Sequence, residues 1–223
     1  GLPRVGEADW NDALDMAGRK QIGESVWLAM ALVRSLKCLA ELAGYINKED
    51  IKKELLEKAR IMSKRINDSG WDGNWYLAGY NDEMVPFGSS KNREGKIFLN
   101  SQSWAILAEI VPKERLPIVL DSVEKHLTGK HGMALLAPAY TVFDPGLGRI
   151  AMFSQGTKEN AAVFCHAQTF MIAAYAKIGM GTKAYNEMIK IMPNKQKDME
   201  LYKAEPYVYA EYLIGPDHPY AYG

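Results

Sequence analysis

The sequence predicts an all-α protein with its helices in two concentric layers. Two observations predict it. A helical segment that is apolar nearly all round is followed by one that is apolar along a single stripe, and this pair recurs about three times. Long loops rich in Gly, Asn, Asp and aromatic residues, over 67–100 and 130–160, separate the pairs. Loops of that length inside a compact domain are usually functional. They are expected to gather at one rim of the helical ring and build a cleft there.

Taken in order, Glu24 to Ala43 is mostly apolar, with Arg34, Ser35, Lys37 and Glu41 the main interruptions, and Gly44 is expected to stop it. From Glu49 to Ile66, residues Ile51, Leu55, Leu56, Ala59, Met62 and Ile66 make one stripe at the helical period, with Asn47 expected as its cap. Asn100 is expected to cap a helix through Trp104–Ala108 that ends before Pro112. Leu116, Val119, Leu120, Val123 and Leu127 form the next stripe. Val163 to Tyr175 forms another, closed by Gly179, and Thr182 begins a short amphipathic helix. Trp75–Ala78 reads as a short strand bracketed by Gly73 and Gly79. No repeat of twenty to fifty residues is visible.

Composition excludes several classes. Apolar residues make up 48% of the 223 and charged residues 24%, an ordinary globular balance and not that of a disordered tail. Lys and Arg total 27, as do Asp and Glu, so nothing electrostatic favours nucleic acid or an anionic membrane surface. The longest wholly apolar run, Val26 to Val33, is far short of a bilayer span. Cys38 and Cys165 sit in apolar stretches, which fits a reducing compartment or simply buried thiols, and a cytoplasmic location is expected. The four His and two Cys match no metal-ligand spacing, so no metal is expected, and no cofactor is expected either. The opening Gly1-Leu2-Pro3-Arg4 is read as the start of a piece of a longer chain.

Four constellations carry chemistry. Asp9-Trp10-Asn11-Asp12, followed by Asp15, gathers carboxylates, an amide and an indole ahead of the first helix. Carboxylates and amides match sugar hydroxyls, and an indole face packs on a pyranose. A carboxyl crowded by Asp9 and Asp15 and partly desolvated suits a general acid. The same residues also suit a plain loop at a helix N-terminus. Lys158-Glu159-Asn160 with His166 suits recognition of anions and hydroxyls around one helix start, or a capped helix with one satisfied buried His. Trp71-Asp72-Gly73-Asn74-Trp75-Tyr76, continuing to Tyr80, reads as a carbohydrate platform or as a plug over a helical core. Glu205-Pro206-Tyr207-Val208-Tyr209-Ala210 reads as a turn into a short helix. Gly215-Pro216-Asp217-His218-Pro219 follows as a stiff loop.

These motifs, in this order, resemble the catalytic domain of the inverting phosphorylases of glycoside hydrolase family 94. The blocks are Gly1-Leu2-Pro3-Arg4 with Asp9-Trp10-Asn11-Asp12, Gly23-Glu24-Ser25-Val26-Trp27-Leu28, Trp71–Tyr76 and Glu94–Asn100. They continue with Gln102-Ser103-Trp104, Lys158-Glu159-Asn160, Phe164-Cys165-His166-Ala167, Glu205–Val208 and Gly215–Pro219. Together they cover nearly the whole chain, and their ordered set is specific.

The resemblance implies that residues 1–223 are a single, partial (α/α)6-barrel domain with long rim loops. It implies cleavage of a β-glucosidic di- or oligosaccharide by inorganic phosphate, giving an α-sugar 1-phosphate, with phosphate as co-substrate. By the same resemblance Asp12 is the general acid, Trp10 lines the sugar site, Lys158 and Glu159 contact sugar, and His166 helps hold phosphate. The expected partners are a β-linked glucoside and phosphate, with a homodimer as the assembly of the full-length protein. The family's phosphate site also uses an upstream Arg and a downstream Thr-Gly pair, neither held by this chain, so the chain alone is expected to be inactive. Gln168 stands where Asn is common, and Ala13-Leu14 where Gly-Met is common, which bears on the acceptor sugar. Two rival readings are a phosphorylase-like segment of a cyclic β-1,2-glucan synthase and a non-catalytic glycan-binding remnant.

Overall fold

A computed structural model of the chain describes residues 1–197, 202–205 and 207–220. Six α-helices carry the described fold: α1 (Val26–Tyr45), α2 (Glu49–Ser69), α3 (Leu99–Leu107), α4 (Leu116–His126), α5 (Cys165–Lys177) and α6 (Gly181–Ile191). They pair as α1 with α2, α3 with α4 and α5 with α6, and α3 packs against both α1 and α5. Burial separates an inner from an outer set. Helix α3 is buried over Leu99–Ser103 and at Ala105 and Ile106. Helix α2 buries only Ala59 and Ile66. Ile66 joins Val26, Met30, Val33 and Tyr76 in one apolar cluster, and burying such a side chain contributes roughly 1.5–3 kcal/mol. Among the described residues, no helix is long and apolar enough to cross a membrane.

The all-α expectation needs one correction. Short strands of two residues each stand at the helix entries. β1 (Glu24–Ser25) leads into α1, β4 (Ile97–Phe98) into α3 and β8 (Val163–Phe164) into α5. Each pairs antiparallel with a strand that follows the next outer helix: β2 (Gly79–Tyr80), β7 (Leu136–Ala137) and β9 (Tyr212–Leu213). β3 (Pro86–Phe87) extends the first sheet, and β5 (Thr128–Gly129) pairs with β6 (Gly132–Met133). The chain therefore repeats one module three times: strand, inner helix, outer helix, return strand.

The residue just before each return strand supplies what an inner helix start needs. The first N–H groups of a helix have no partner inside it. Here the first one on each inner helix donates to a neighbouring backbone carbonyl. Val26 N reaches Ala78 O at 3.0 Å, Leu99 N reaches Leu135 O at 2.8 Å and Cys165 N reaches Glu211 O at 3.0 Å. Only α1 adds a side-chain cap, with Ser25 Oγ accepting from Leu28 N. Asn100, expected as a cap, is instead the buried second residue of α3.

Helix ends repeat as well. Helix α1 runs past Gly44 and closes at Asn47, which takes φ 59°. Lys48 N then bonds Ala43 O at 2.8 Å and Asn47 N bonds Gly44 O at 3.1 Å. That is a Schellman ending, so Asn47 closes α1 and does not cap α2. Glu109 (φ 56°) ends α3 and Gly179 (φ 82°) ends α5 in the same pattern. Of the α2 stripe, Leu55 and Met62 are half-buried, while Ile51 and Leu56 are exposed. The strand expected at Trp75–Ala78 forms instead at Gly79–Tyr80.

Candidate active site

The rim at the starts of the inner helices carries the site. Leu99 N bonds Leu135 O, and Leu135 N bonds Ala162 O at 2.8 Å, so the entries of α3 and α5 are tied together. The segment before α1 lies across this rim. Asp9 accepts from Asn11 N at 2.8 Å and from Ser25 Oγ at 2.7 Å, fixing the segment to the cap of α1. Burial pushes the Asp9 carboxyl above the ordinary carboxylate value, against the lowering effect of those two hydrogen bonds. Asn11 is buried and its side chain accepts from Ala13 N, turning the chain so that Asp12 is exposed.

The crowding expected around Asp12 does not arise from Asp15. Asp15 is taken by Arg149: its Oδ2 lies 3.0 Å from the guanidinium Nε, and its Oδ1 accepts from Arg149 N at 2.9 Å. The enclosed carboxyl of the block is Asp9.

Asp12, Lys158 and Glu159 line one cavity of about 310 Å³, with Arg149, Phe153, Phe164, Glu211 and Tyr212. Lys158 and Glu159 occupy a tight turn in which Asn160 N donates to Thr157 O at 2.9 Å. Lys158 takes φ 48° and its ammonium stands 5.0 Å from the Phe153 ring centroid. Asn160 pins the turn from beneath. Fully buried, it accepts from Tyr140 N at 2.8 Å and donates to Tyr140 O at 2.9 Å and Phe153 O at 2.7 Å. The third residue of that motif is therefore scaffold.

Trp10 and His166 meet each other beside this cavity. Their ring centroids are 5.4 Å apart, and His166 lies 4.7 Å from Phe170. His166 is exposed in the first turn of α5 and does not line the cavity that holds Asp12. The link is Phe164, which lines the cavity and meets Trp10 edge-on at 5.3 Å. So the five expected residues fall into two adjoining groups, Asp12–Lys158–Glu159 and Trp10–His166. Cys165, next to His166, is buried, and burial pushes its thiol up to about 11, which leaves no thiolate nucleophile at neutral pH.

The other constellations resolve differently. The Trp71–Tyr80 loop is a plug. Trp75 through Ala78 are buried, Trp75 Nε1 donates to Lys96 O, and the Arg115 guanidinium sits 4.6 Å from the Trp71 ring. In the Glu205–Ala210 motif, Pro206 lies outside the described residues, and no helix forms over 207–210. Gly215 N bonds Gly156 O at 2.8 Å and Asp217 accepts from Ala139 N at 2.6 Å, so this loop braces the turn that bears Lys158. His218 is half-buried.

Sequence reasoning missed Arg149, Glu211 and Tyr212. Arg149 follows the Gly146-Leu147-Gly148 run, and its partner Asp15 lies 134 residues away in sequence. Gly148 takes φ 110°, and a Cβ there would lie 2.1 Å from Asp15 Oδ1, so a side chain is excluded. Two closely spaced glycines beside an arginine were the available signal.

The sequence matches the family model described as the Glycosyl hydrolase 94 superfamily, catalytic domain, over residues 1–222. The chain belongs to this superfamily. It is 38% identical over 217 residues to solabiose phosphorylase of Paenibacillus borealis, covering 96% of this chain and 28% of that protein. It is 30% identical over 214 residues to N,N'-diacetylchitobiose phosphorylase of Vibrio proteolyticus, covering 95% and 26%. It is 31% identical over 222 residues to cyclic beta-(1,2)-glucan synthase NdvB of Rhizobium meliloti, covering 96% and 8%. The chain thus spans about a quarter of the length of the phosphorylases it matches. Of the positions expected to bear on the acceptor sugar, Ala13 lines the cavity beside Asp12. Gln168 does not. It is fully buried, accepting from Met133 N at 2.7 Å and donating to Glu187 O at 2.8 Å, a staple joining α5, α6 and β6.

Proposed function

We propose that this chain forms the acid-bearing part of the active site of an inverting β-glycoside phosphorylase. The observation that carries the reading is the convergence of Asp12 with Lys158 and Glu159 in one cavity, with the Trp10–His166 contact beside it. Asp12 gives its proton to the glycosidic oxygen as the bond to the anomeric carbon breaks. A phosphate oxygen attacks that carbon from the opposite face and forms the α-phosphate. An inverting hydrolase needs a second carboxylate to activate water. Phosphate is already an anionic nucleophile, so a single acid suffices. Lys158 and Glu159 bind sugar hydroxyls, Trp10 presents its ring to the sugar, and His166 donates to phosphate. The three modules are half of an (α/α)6 barrel in this reading, and the free thiols of Cys38 and Cys165 support a cytoplasmic setting.

The test is made in the full-length protein that carries this chain. Asp12→Asn is expected to lower phosphorolysis by at least roughly 10²–10⁴-fold with the fold intact. His166→Ala is expected to raise the KM for phosphate more than that for sugar. Retention of more than about a tenth of the wild-type rate by Asp12→Asn rejects the assignment. The similarity to NdvB favours a second reading, a phosphorylase-like segment of a β-1,2-glucan synthase. Phosphorolysis confined to β-1,2-linked glucans distinguishes it.

A further inference from the structure

Asp12 is exposed, and where its carboxylate stands depends on the backbone that carries it. Beyond the contacts within its own segment, that backbone is held by the turn 147–150. Arg149 Nη2 donates to Asp12 O at 3.0 Å, Ile150 N to Ala13 O at 3.0 Å, and Met16 N to Leu147 O at 3.1 Å. Asp15 locks the turn in place, engaging the Arg149 side chain and backbone at once. Gly148 is the residue that lets the two segments approach so closely.

We infer that Asp15 and Arg149 are a positioning pair for Asp12, an inference that rests on reading Asp12 as the acid. Stability does not account for the pair. Arg149 is 56% exposed and Asp15 27%, and an ion pair so open to water contributes little to folding. Placement does account for it. Arg149 lines the cavity of Asp12, Lys158 and Glu159, and also a second cavity of about 540 Å³ lined by Asp12, Asp15 and Arg19. The pair and Asp12 therefore form the wall between two spaces, and a glycosidic oxygen beside Asp12 has room on either side. A proton donor works only within hydrogen-bond reach of the oxygen it protonates, and a displacement of about 1 Å costs on the order of 10²-fold. Asp15 and Arg149 touch no reacting atom in this role. They act through the Asp12 main chain.

The experiment compares leaving groups in the full-length protein. A sugar needs protonation to leave, whereas the fluoride of a β-glycosyl fluoride of the same donor sugar departs largely without it. Asp15→Asn and Arg149→Lys are each expected to lower kcat on the disaccharide by roughly ten- to a hundredfold, with KM changed less than about twofold. Both are expected to lose less than about threefold on the fluoride, and that turnover also reports a folded site. Equal losses on both substrates, with the far-UV spectrum unchanged, overturn the inference, since a general distortion would not discriminate. A raised disaccharide KM at unchanged kcat overturns it too, by making Arg149 a substrate contact. If one variant does not fold, the other decides. Asp12→Asn runs alongside. If its defect does not depend on the leaving group, the acid assignment falls and the pair's role with it. If Asp12→Asn behaves as an acid variant and the pair variants do not, only the pair's role falls.

Discussion

The Asp9 carboxyl joins the rim segment to the cap of α1, and burial raises its pKa despite two donors. The sign of the consequence is fixed by linkage. Between the unfolded value, near 3.9, and the raised native value, the native state binds more protons than the unfolded chain, so stability falls as pH rises through that window. Above it, the ionised carboxylate carries its full desolvation cost. Asp9→Asn keeps an acceptor for the Asn11 amide and cannot ionise. The stability of wild type relative to Asp9→Asn is therefore expected to fall as pH rises from about 4 through the raised pKa, read as urea midpoints in a pH series. A flat difference would mean that Asp9 titrates as it does in the unfolded chain. At the same scale, Asn160 shows a motif residue whose work is structural. A deeply buried amide that satisfies three backbone groups leaves Lys158 and Glu159 free to face the cavity.

At the scale of elements, the three inner helices begin and end alike although their sequences do not. Each starts by donating its first N–H to a neighbouring carbonyl, and each ends at a left-handed residue: Asn47, Glu109 or Gly179. Only one of the three is glycine, the residue that adopts this conformation without a steric penalty. Gly179 isolates the backbone term, because a Cβ added there meets nothing within 4 Å. Gly179→Ala is thus expected to destabilise the chain by about 1–2 kcal/mol through backbone strain alone. Asn47→Gly is expected to be nearly neutral, because Asn tolerates the left-handed region. Equilibrium urea denaturation of both variants checks the contrast, and an Ala variant as stable as wild type rejects it.

For the whole molecule, the lateral order of the inner helices decides which surfaces stay open. Helix α3, packed against both α1 and α5, is buried nearly throughout, whereas α1 with its C-terminal cap leaves Leu32, Leu39, Leu42 and Ile46 at 37–54% exposure. Those residues recur at helical spacing along one face. Contiguous apolar surface of that kind drives association. The isolated 223-residue chain is expected to self-associate through this face, and Leu39→Lys with Leu42→Glu is expected to shift it toward monomer. Sedimentation velocity of both forms tests this. A monodisperse wild-type monomer would show that the stripe is tolerated in water.

The sequence by itself determined the helices and their pairing, because the period of apolar residues is local and each stripe reports its own face. It also held the Asp12 block and the Lys158–Glu159 motif, whose residue types are chemically legible without coordinates. It misplaced the caps at Asn47 and Asn100, since a residue suited to capping loses to a neighbouring backbone carbonyl that already supplies the acceptor or to a chain that turns left-handed. It left the Trp71–Tyr80 loop undecided, because an indole suits a core and a sugar equally well until its neighbours are known. Only the tertiary structure decided that Asp15 belongs to Arg149 and that Asp9 is the enclosed carboxyl. The same holds for His166, which rests on Trp10 and lies outside the cavity of Asp12. The reason is common to all three. Burial and ion pairing are set by groups distant in sequence, and no local pattern records which distant group arrives.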